Sequence, residues 1–137
     1  MRVLIAALLL CAACGGSTKL PAAAHYKVQV LRDPVDDSTA FYRCAGDINI
    51  DLNKADFICD AALFAHSWFI QGQVEFYGLE NGRLRFWIYE GAHIGQPALA
   101  IDADPDGDHF TGWATLRFPN SSFGEPGASA TVWPLLN

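Results

Sequence analysis

The chain has 137 residues, 51% of them hydrophobic, which is enough for one domain with one modest core and excludes two. All 15 acidic residues follow position 24, and without Arg2 and Lys19 the chain has seven basic residues and a net charge of −8. This balance argues against nucleic acid as a ligand, because a phosphate backbone needs a basic surface. Basic proteins, cations and neutral glycans remain compatible with it.

The first residues have the pattern of an export signal. A positive Met1-Arg2 precedes the apolar run Val3–Leu10, which is too short to span a bilayer. The small residues around Cys14 resemble the lipobox of bacterial lipoproteins, although Cys11 stands where that motif usually has an aliphatic residue. The resemblance implies a signal peptide over residues 1–13, a lipid on Cys14, a flexible tether over 14–24 and a single domain over 25–137.

A second cleavage site stays open. Ala22-Ala23-Ala24 fits the A-x-A pattern of an ordinary signal peptidase site, and cleavage there would release a soluble periplasmic or secreted protein beginning at His25. The lipobox instead places the protein on the periplasmic side of the outer membrane, held by its lipid anchor.

Alternating residues predict the first strands. Tyr26–Leu31 is one, and Ala40–Cys44 and Gly46–Asn53 follow as extended pieces after an Asp-rich loop. In Ala55–His66, Asp56 is a possible N-cap for a short helix, although a strand also suits this segment. We expect a short helix or a helical turn here.

The stretch Val74–Tyr89 has the pattern of a β-hairpin around Asn81-Gly82, a pair that favours a type I′ turn. A two-residue loop predicts that Glu80 faces Arg83 and that the same register continues to the ends of both strands. The register assigns these side chains to the core: Tyr77, Leu79, Leu84, Phe86 and Ile88. It assigns these to the opposite face: Val74, Phe76, Arg85, Trp87 and Tyr89.

A second hairpin is predicted from Pro97–Ala103 and His109–Phe118, and a last strand from Ala128–Trp133. The whole chain therefore predicts a mainly β domain, a small antiparallel sandwich or barrel of about eight strands with at most one short helix.

Beyond the leader only Cys44 and Cys59 remain. In an exported chain an even pair of cysteines predicts a disulfide. Closing a loop of this size would stabilise the fold by about 3 kcal/mol. A metal pair or a redox dithiol is the alternative, but the spacing is far from C-x-x-C.

Four carboxylates crowd the second hairpin at Asp102, Asp104, Asp106 and Asp108, with Gly107 between the last two. The pattern D-x-D-x-D-G is similar to the first half of an EF-hand loop, which makes calcium a candidate ligand, with Glu90 or Glu125 as outside ligands. The twelfth position is Trp113, so no closing Glu is present. The favoured interpretation is a plain turn whose acids face water, in which Asp104→Asn would slightly stabilise the fold by easing repulsion.

Aromatic and Arg side chains on one hairpin face predict a contact surface of Phe76, Arg85, Trp87 and Tyr89 for a protein or a sugar. A covering by other parts of the chain is the alternative. The sequence has none of the common catalytic motifs, so we expect a protein that is not an enzyme.

Tyr42-Arg43-Cys44 followed by an alternating Asp47–Leu52 resembles the Tyr-x-Cys opening of membrane-bound lysozyme inhibitors, which are small disulfide-bonded β-barrel lipoproteins. The Ser-Gly-x-x-Tyr segment of that family is absent. We therefore expect an envelope lipoprotein that binds a protein partner, as an inhibitor or immunity-type protein against a basic cell-wall hydrolase. A glycan-binding or calcium-binding module and an envelope hydrolase are the alternatives.

Overall fold

The computed structural model describes residues 23–32, 42–61, 66–80, 82–91, 96–117 and 124–136. The described residues form a closed barrel in which each strand pairs antiparallel with the next and the last pairs with the first. The strands are β1 His25–Arg32, β2 Tyr42–Asn49, β3 Lys54–Ala61, β4 Trp68–Glu80, β5 Arg83–Tyr89, β6 Leu99–Asp106, β7 His109–Arg117 and β8 Gly124–Leu135. The predicted fold class is confirmed, and of its two architectures the barrel is the one formed.

None of these described elements is a helix that could cross a membrane. The side chains of residues 77–80 lie outside the description, as do the signal peptide, Cys14 and most of the tether.

The interior is filled by the apolar half of each alternating strand. Among the described residues, every buried core side chain is hydrophobic. Tyr26 packs edge-on against Phe86 at a centroid distance of 5.0 Å, and Phe86 meets Phe76 at 5.3 Å. Burial on this scale drives the closure of the barrel, because exposing the apolar face of each strand to water is unfavourable.

Glycine allows neighbouring strands to approach closely, as at Gly46 and Gly112. A Cβ on Gly46 would lie 2.2 Å from the backbone oxygen of Asp56 and 2.7 Å from the ring of Phe57, its partner on β3. A Cβ on Gly112 would lie 2.1 Å from the backbone oxygen of Asp102. Residues with side chains would push these strands apart and open the barrel.

The helix expected within Ala55–His66 is not formed. Residues Lys54–Ala61 are strand β3, with Ala55, Phe57 and Cys59 buried and the residues between them facing outward. The period of two, together with pairing to β2 and β4 on either side, overrides the capping signal at Asp56. Residues 62–65 lie outside the description.

The predicted disulfide is formed. Cys44 and Cys59 are directly opposite each other on β2 and β3, with an S–S distance of 2.06 Å and a Cα–Cα distance of 4.1 Å. Both residues are almost completely buried, at 1% and 0% exposure. The bridge therefore lies inside the barrel and joins neighbouring strands.

The first hairpin forms, but its predicted register holds only beside the turn. Glu80 pairs with Arg83 as expected, whereas an irregularity between Phe76 and Leu79 shifts the rest of the ladder. Beyond it Phe76 pairs with Phe86, not with Trp87 as predicted. One extra residue on a bulged strand moves every later side chain to the other face, so Val74 and Phe76 pack against the core.

Residues with a positive φ angle occupy several of the turns between strands. Gly82 and Gly107 adopt φ angles of +81° and +66°, the left-handed region that glycine enters at little cost. Asn53 also adopts a positive φ, at +51°, and its Oδ1 accepts a hydrogen bond of 2.8 Å from the backbone N–H of Val74.

The last residues of the expected tether contact the barrel, because Ala23 donates its N–H to the Tyr26 hydroxyl at 2.9 Å.

Candidate functional site

The four side chains expected to form a contact surface are divided by the structure. Phe76 faces the interior, where it packs against the core, and Tyr89 is only 8% exposed. Burial raises the pKa of the Tyr89 hydroxyl, and the charge of Glu75 adds to this effect. Arg85 and Trp87 remain on the outside of β5. The shifted register explains the loss of Phe76 from this surface.

On the outer surface, Arg85 and Trp87 lie near a tryptophan of β7. Arg85 lies opposite Asp102 on β6, and Asp102 lies opposite Trp113 on β7. Trp113 is 68% exposed, more than any other described tryptophan. We call Arg85, Trp87, Asp102 and Trp113 the tryptophan face. Its two tryptophans flank β6, and strand spacing and rise separate their Cα atoms by about 12 Å.

Charged side chains are paired across this surface. Arg83 Nε lies 3.2 Å from Asp102 Oδ1 and 3.0 Å from Asp104 Oδ1, and Arg85 Nε lies 3.2 Å from Asp102 Oδ2. The hydrogen bond from Arg83 holds the pKa of Asp104 below its usual value. These pairs are exposed and each adds little stability, but together they set the side chains around Trp113 in a defined pattern.

The acidic hairpin does not have the geometry of a calcium loop. Asp102, Asp104 and Asp106 are alternate residues on one face of strand β6, so successive carboxylates point the same way at about 7 Å intervals and do not converge. Within the described ranges no three His, Cys, Asp or Glu side chains are close enough to hold a metal ion. The acids of D-x-D-x-D-G therefore lie on the hairpin that the sequence favoured, and the calcium alternative stays a prediction.

The remaining acids of this hairpin contact His109. Its Nδ1 lies 2.8 Å from Asp108 Oδ1 and its Nε2 lies 3.8 Å from Asp106. This contact lowers the pKa of Asp108. The imidazole also lies beside the indole of Trp133, with a centroid distance of 6.2 Å and an interplanar angle of 30°. Through His109 the acidic turn thus reaches an aromatic side chain of β8.

Depressions in the surface follow strand β2 on the opposite side of the barrel from the tryptophan face. The central one, of about 370 Å³, is lined by residues of β1 and β2 and by Trp133. Neighbouring depressions of about 350 and 340 Å³ continue it toward the two ends of β2. We call the three together the β2 groove.

Sequence reasoning missed Trp113 and Trp133 as surface residues. The alternation of Phe110, Ala114 and Leu116 with Trp113 on the other face was present in the letters and could have identified Trp113. No such signal existed for the groove, because it depends on the pairing of β1 with β8 across the whole chain. Comparison of the chain with protein-family models, with curated proteins and with solved structures finds no match.

Proposed function

We propose that this protein is a non-catalytic envelope lipoprotein, anchored through Cys14, that captures a protein partner with its tryptophan face. The observation that carries the proposal is the exposure of Trp113 beside the Arg85–Asp102 pair and Trp87. Trp and Arg are the residue types that dominate binding energy in protein interfaces, and they act best at the centre of a patch.

Charge supports a basic partner. The chain from His25 onward has a net charge of −8, so a basic protein is attracted over long distances and its association is accelerated at low salt. A basic cell-wall hydrolase has the required charge, and an inhibitor or immunity-type role against such an enzyme follows from the proposed location. Arg85 of the tryptophan face and the neighbouring Arg83 are both paired with aspartates, so they do not oppose a basic partner.

The contacts of the expected tether support the lipid anchor over cleavage after Ala24. Ala23 packs against the core and donates to Tyr26, and the Ala24 carbonyl accepts a hydrogen bond of 2.8 Å from the N–H of Ile50. A chain that began at His25 would lose both contacts. A chain that began at Cys14 keeps them.

The carboxylates with lowered pKa values owe the shift to ion pairs on the surface, so neither of them marks a catalytic site. In the described part of the barrel, the carboxylates with lowered pKa values are Asp104 and Asp108, and each is explained by a hydrogen bond from a basic side chain on the exposed surface. Catalytic acids and bases are usually shifted by burial in a cleft.

The test is capture of partners from envelope extract by the full-length protein, followed by affinity measurement with the purified partner. Trp113→Ala should weaken binding by about tenfold or more. Trp133→Ala is the matched control, since this tryptophan lies outside the tryptophan face, and should bind normally. A partner indifferent to Trp113 and Trp87 would overturn the proposed surface.

The inhibitor role needs its own measurement. Purified basic lysozyme should lose its clearing of a cell-wall suspension when the protein is added, and the effect should weaken as salt rises. Full lysozyme activity at saturating protein would reject a lysozyme-like hydrolase as the partner. Capture of another envelope protein would still be tested by the experiment with Trp113→Ala. Replacing Cys14 with Ser should release the protein from membranes, and a mature chain that starts at His25 would contradict the anchor.

A further inference from the structure

We propose that the β2 groove is a second binding site, separate from the tryptophan face, and that it takes an extended, uncharged oligosaccharide chain. The groove is centred four strands away from β6, on the other side of the barrel. Binding of a protein partner at the tryptophan face therefore leaves it open.

The three depressions of the groove lie in a row along β2. The central one shares Asp47 with the depression at the Asn49 end, and it shares Gln29 and Ala45 with the depression at the Arg43 end. From Arg43 at one end to Asn49 at the other, strand β2 rises about 20 Å. A chain of several sugar rings fits this length, whereas a single small molecule would occupy only one part of it.

The floor is low at one outward position of β2. Ala45 points outward with only a methyl group, and it lines both the central depression and the one at the Arg43 end. The walls are built by the longer side chains of β1, β3 and β8. A row of depressions with a low centre and side-chain walls can contact a flexible polymer lengthwise.

An indole supplies the apolar contact that a sugar ring needs. Trp133 lines the central part of the groove although it belongs to β8, so its ring lies across β1. It is 37% exposed, and His109 supports it from the side away from the groove's strand β2. An amphipathic aromatic that is held in place loses little entropy when a ring packs on it.

The charges along the groove cancel. Lys54 lies 3.0 Å from Asp56 and Arg43 lies 3.4 Å from Asp60, while Lys27 is the direct cross-strand partner of Asp47. A site with equal numbers of paired opposite charges gives no advantage to a polyanion or a polycation. It does present carboxylate, ammonium and amide groups that exchange hydrogen bonds with hydroxyls.

An extended peptide is the other polymer of suitable shape, and the barrel disfavours it. Peptides bind along sheets by adding a strand to a free edge. Strand β2 pairs with β1 on one side and with β3 on the other over its whole length, so its backbone groups are already used. A ligand in this groove is recognised by side chains alone, which suits a chain of rings with hydroxyls.

The experiment is titration of the full-length protein with hexamers of N-acetylglucosamine and of glucose, followed by calorimetry and by the NMR signals of the tryptophan indole N–H groups. We expect the Trp133 signal to move and the Trp113 signal to stay. Trp133→Ala should weaken binding by roughly tenfold, with Trp113→Ala as the matched control that binds like the parent. Salt should leave the affinity almost unchanged, since no charge on the ligand is screened.

A second variant keeps the test decisive if Trp133→Ala destabilises the fold. Ala45→Gln raises the floor at an outward position and leaves every wall residue in place, so it should abolish binding in a folded protein. Absence of binding by both hexamers at millimolar concentration would overturn the proposal, as would binding that survives both variants. Preference for a polyanionic glycan or for a peptide would overturn the class of ligand. None of these outcomes bears on the Trp113-dependent partner, so the two proposals fail separately.

Discussion

Arg83 holds Asp104 with two parallel hydrogen bonds, Nε to Oδ1 at 3.0 Å and Nη2 to Oδ2 at 3.1 Å. The two residues lie on neighbouring strands at the turn end of the barrel, and both are exposed. This geometry reverses the sign expected for a substitution of Asp104, because the carboxylate is attracted to Arg83 more than it is repelled by the other acids of the hairpin.

We expect Asp104→Asn to lower the melting temperature at pH 7 by about 1–4 °C, where relief of repulsion would have raised it. The folded-state pKa of Asp104 is lowered by Arg83, so this contribution is complete above the pKa of the unfolded chain and disappears as pH falls below about 4. The difference between variant and parent should therefore shrink as pH falls below about 4, and it should also shrink in high salt. Asp51→Asn, in the exposed β2–β3 turn, is the control. A variant that melts higher than the parent at pH 7 would contradict the ion pair.

Calcium should leave the melting temperature unchanged. Asp102 and Asp104 are engaged by arginines, and the carboxylates of β6 are spread along the strand. A bound ion at about one hundred times its dissociation constant would add ~2.7 kcal/mol and raise the melting temperature by several degrees. The measurement is the melting temperature by scanning calorimetry at calcium concentrations from zero to about 10 mM, with magnesium as the control ion. A rise with calcium alone would restore the metal site.

Phe76 should behave as a core residue. Because the bulge turns it inward against Phe86, we expect Phe76→Ala to cost about 2 kcal/mol or more in urea unfolding, and Phe86→Ala about 3–5 kcal/mol. Trp87→Ala, on the outer face of β5, serves as the comparison and should stay within about 1 kcal/mol of the parent. If Phe76 and Trp87 exchange these values, the register without a bulge is the true one.

The disulfide should stabilise the fold by lowering the conformational entropy of the unfolded chain. The bridge closes a separation of 15 residues, for which chain entropy predicts about 3 kcal/mol. The double variant Cys44→Ala/Cys59→Ala should lose at least that amount, with a further cost for the space left in the core. Thiol labelling of the unfolded, non-reduced parent should find neither cysteine, and labelling of both would show that the bridge is not made.

Gly46→Ala should destabilise the barrel by about 1–3 kcal/mol, because its methyl group meets both the Phe57 ring and a backbone oxygen. Gly107→Ala provides the contrast, since a Cβ there meets nothing within 4 Å and only the φ of +66° is strained, at about 1 kcal/mol. Equal losses at the two positions, measured by urea unfolding, would mean that β2 and β3 can move apart without cost.

Local patterns predicted those parts of the fold that local chemistry decides. The alternation around Ile48, the hairpin with Glu80 opposite Arg83 and the even pair of cysteines each identified a feature that the structure contains. The strand predicted to run to Asn53 ends at Asn49, where the turn to β3 begins. The bulge at Phe76 could not be seen, because one extra residue leaves the alternation of hydrophobic letters almost intact while reversing its faces. The same is true of Ala55–His66, where a helical and a strand pattern share the same apolar residues and only the neighbours β2 and β4 choose between them.

The candidate sites were less accessible than the fold. Trp87 and Arg85 were identified because they lie close in sequence, whereas Trp113 joins them only through the pairing of β5 with β6 and of β6 with β7. The β2 groove combines Trp133 with Ala45, which are far apart in the chain. Surfaces of this kind arise from closure of the sheet, and no window of sequence contains them.

The pairing of His25 with Leu135 also determines when this protein can finish folding. About 110 residues separate these partners, so the last ladder of the barrel has among the highest loop-closure costs in the chain. The hairpin of β2 and β3 can form early and be locked by its bridge, but the sheet keeps two open edges until β8 arrives. The chain is therefore protected from pairing with other chains only once its last strand is in place, and removal of β8 alone should make the product aggregate.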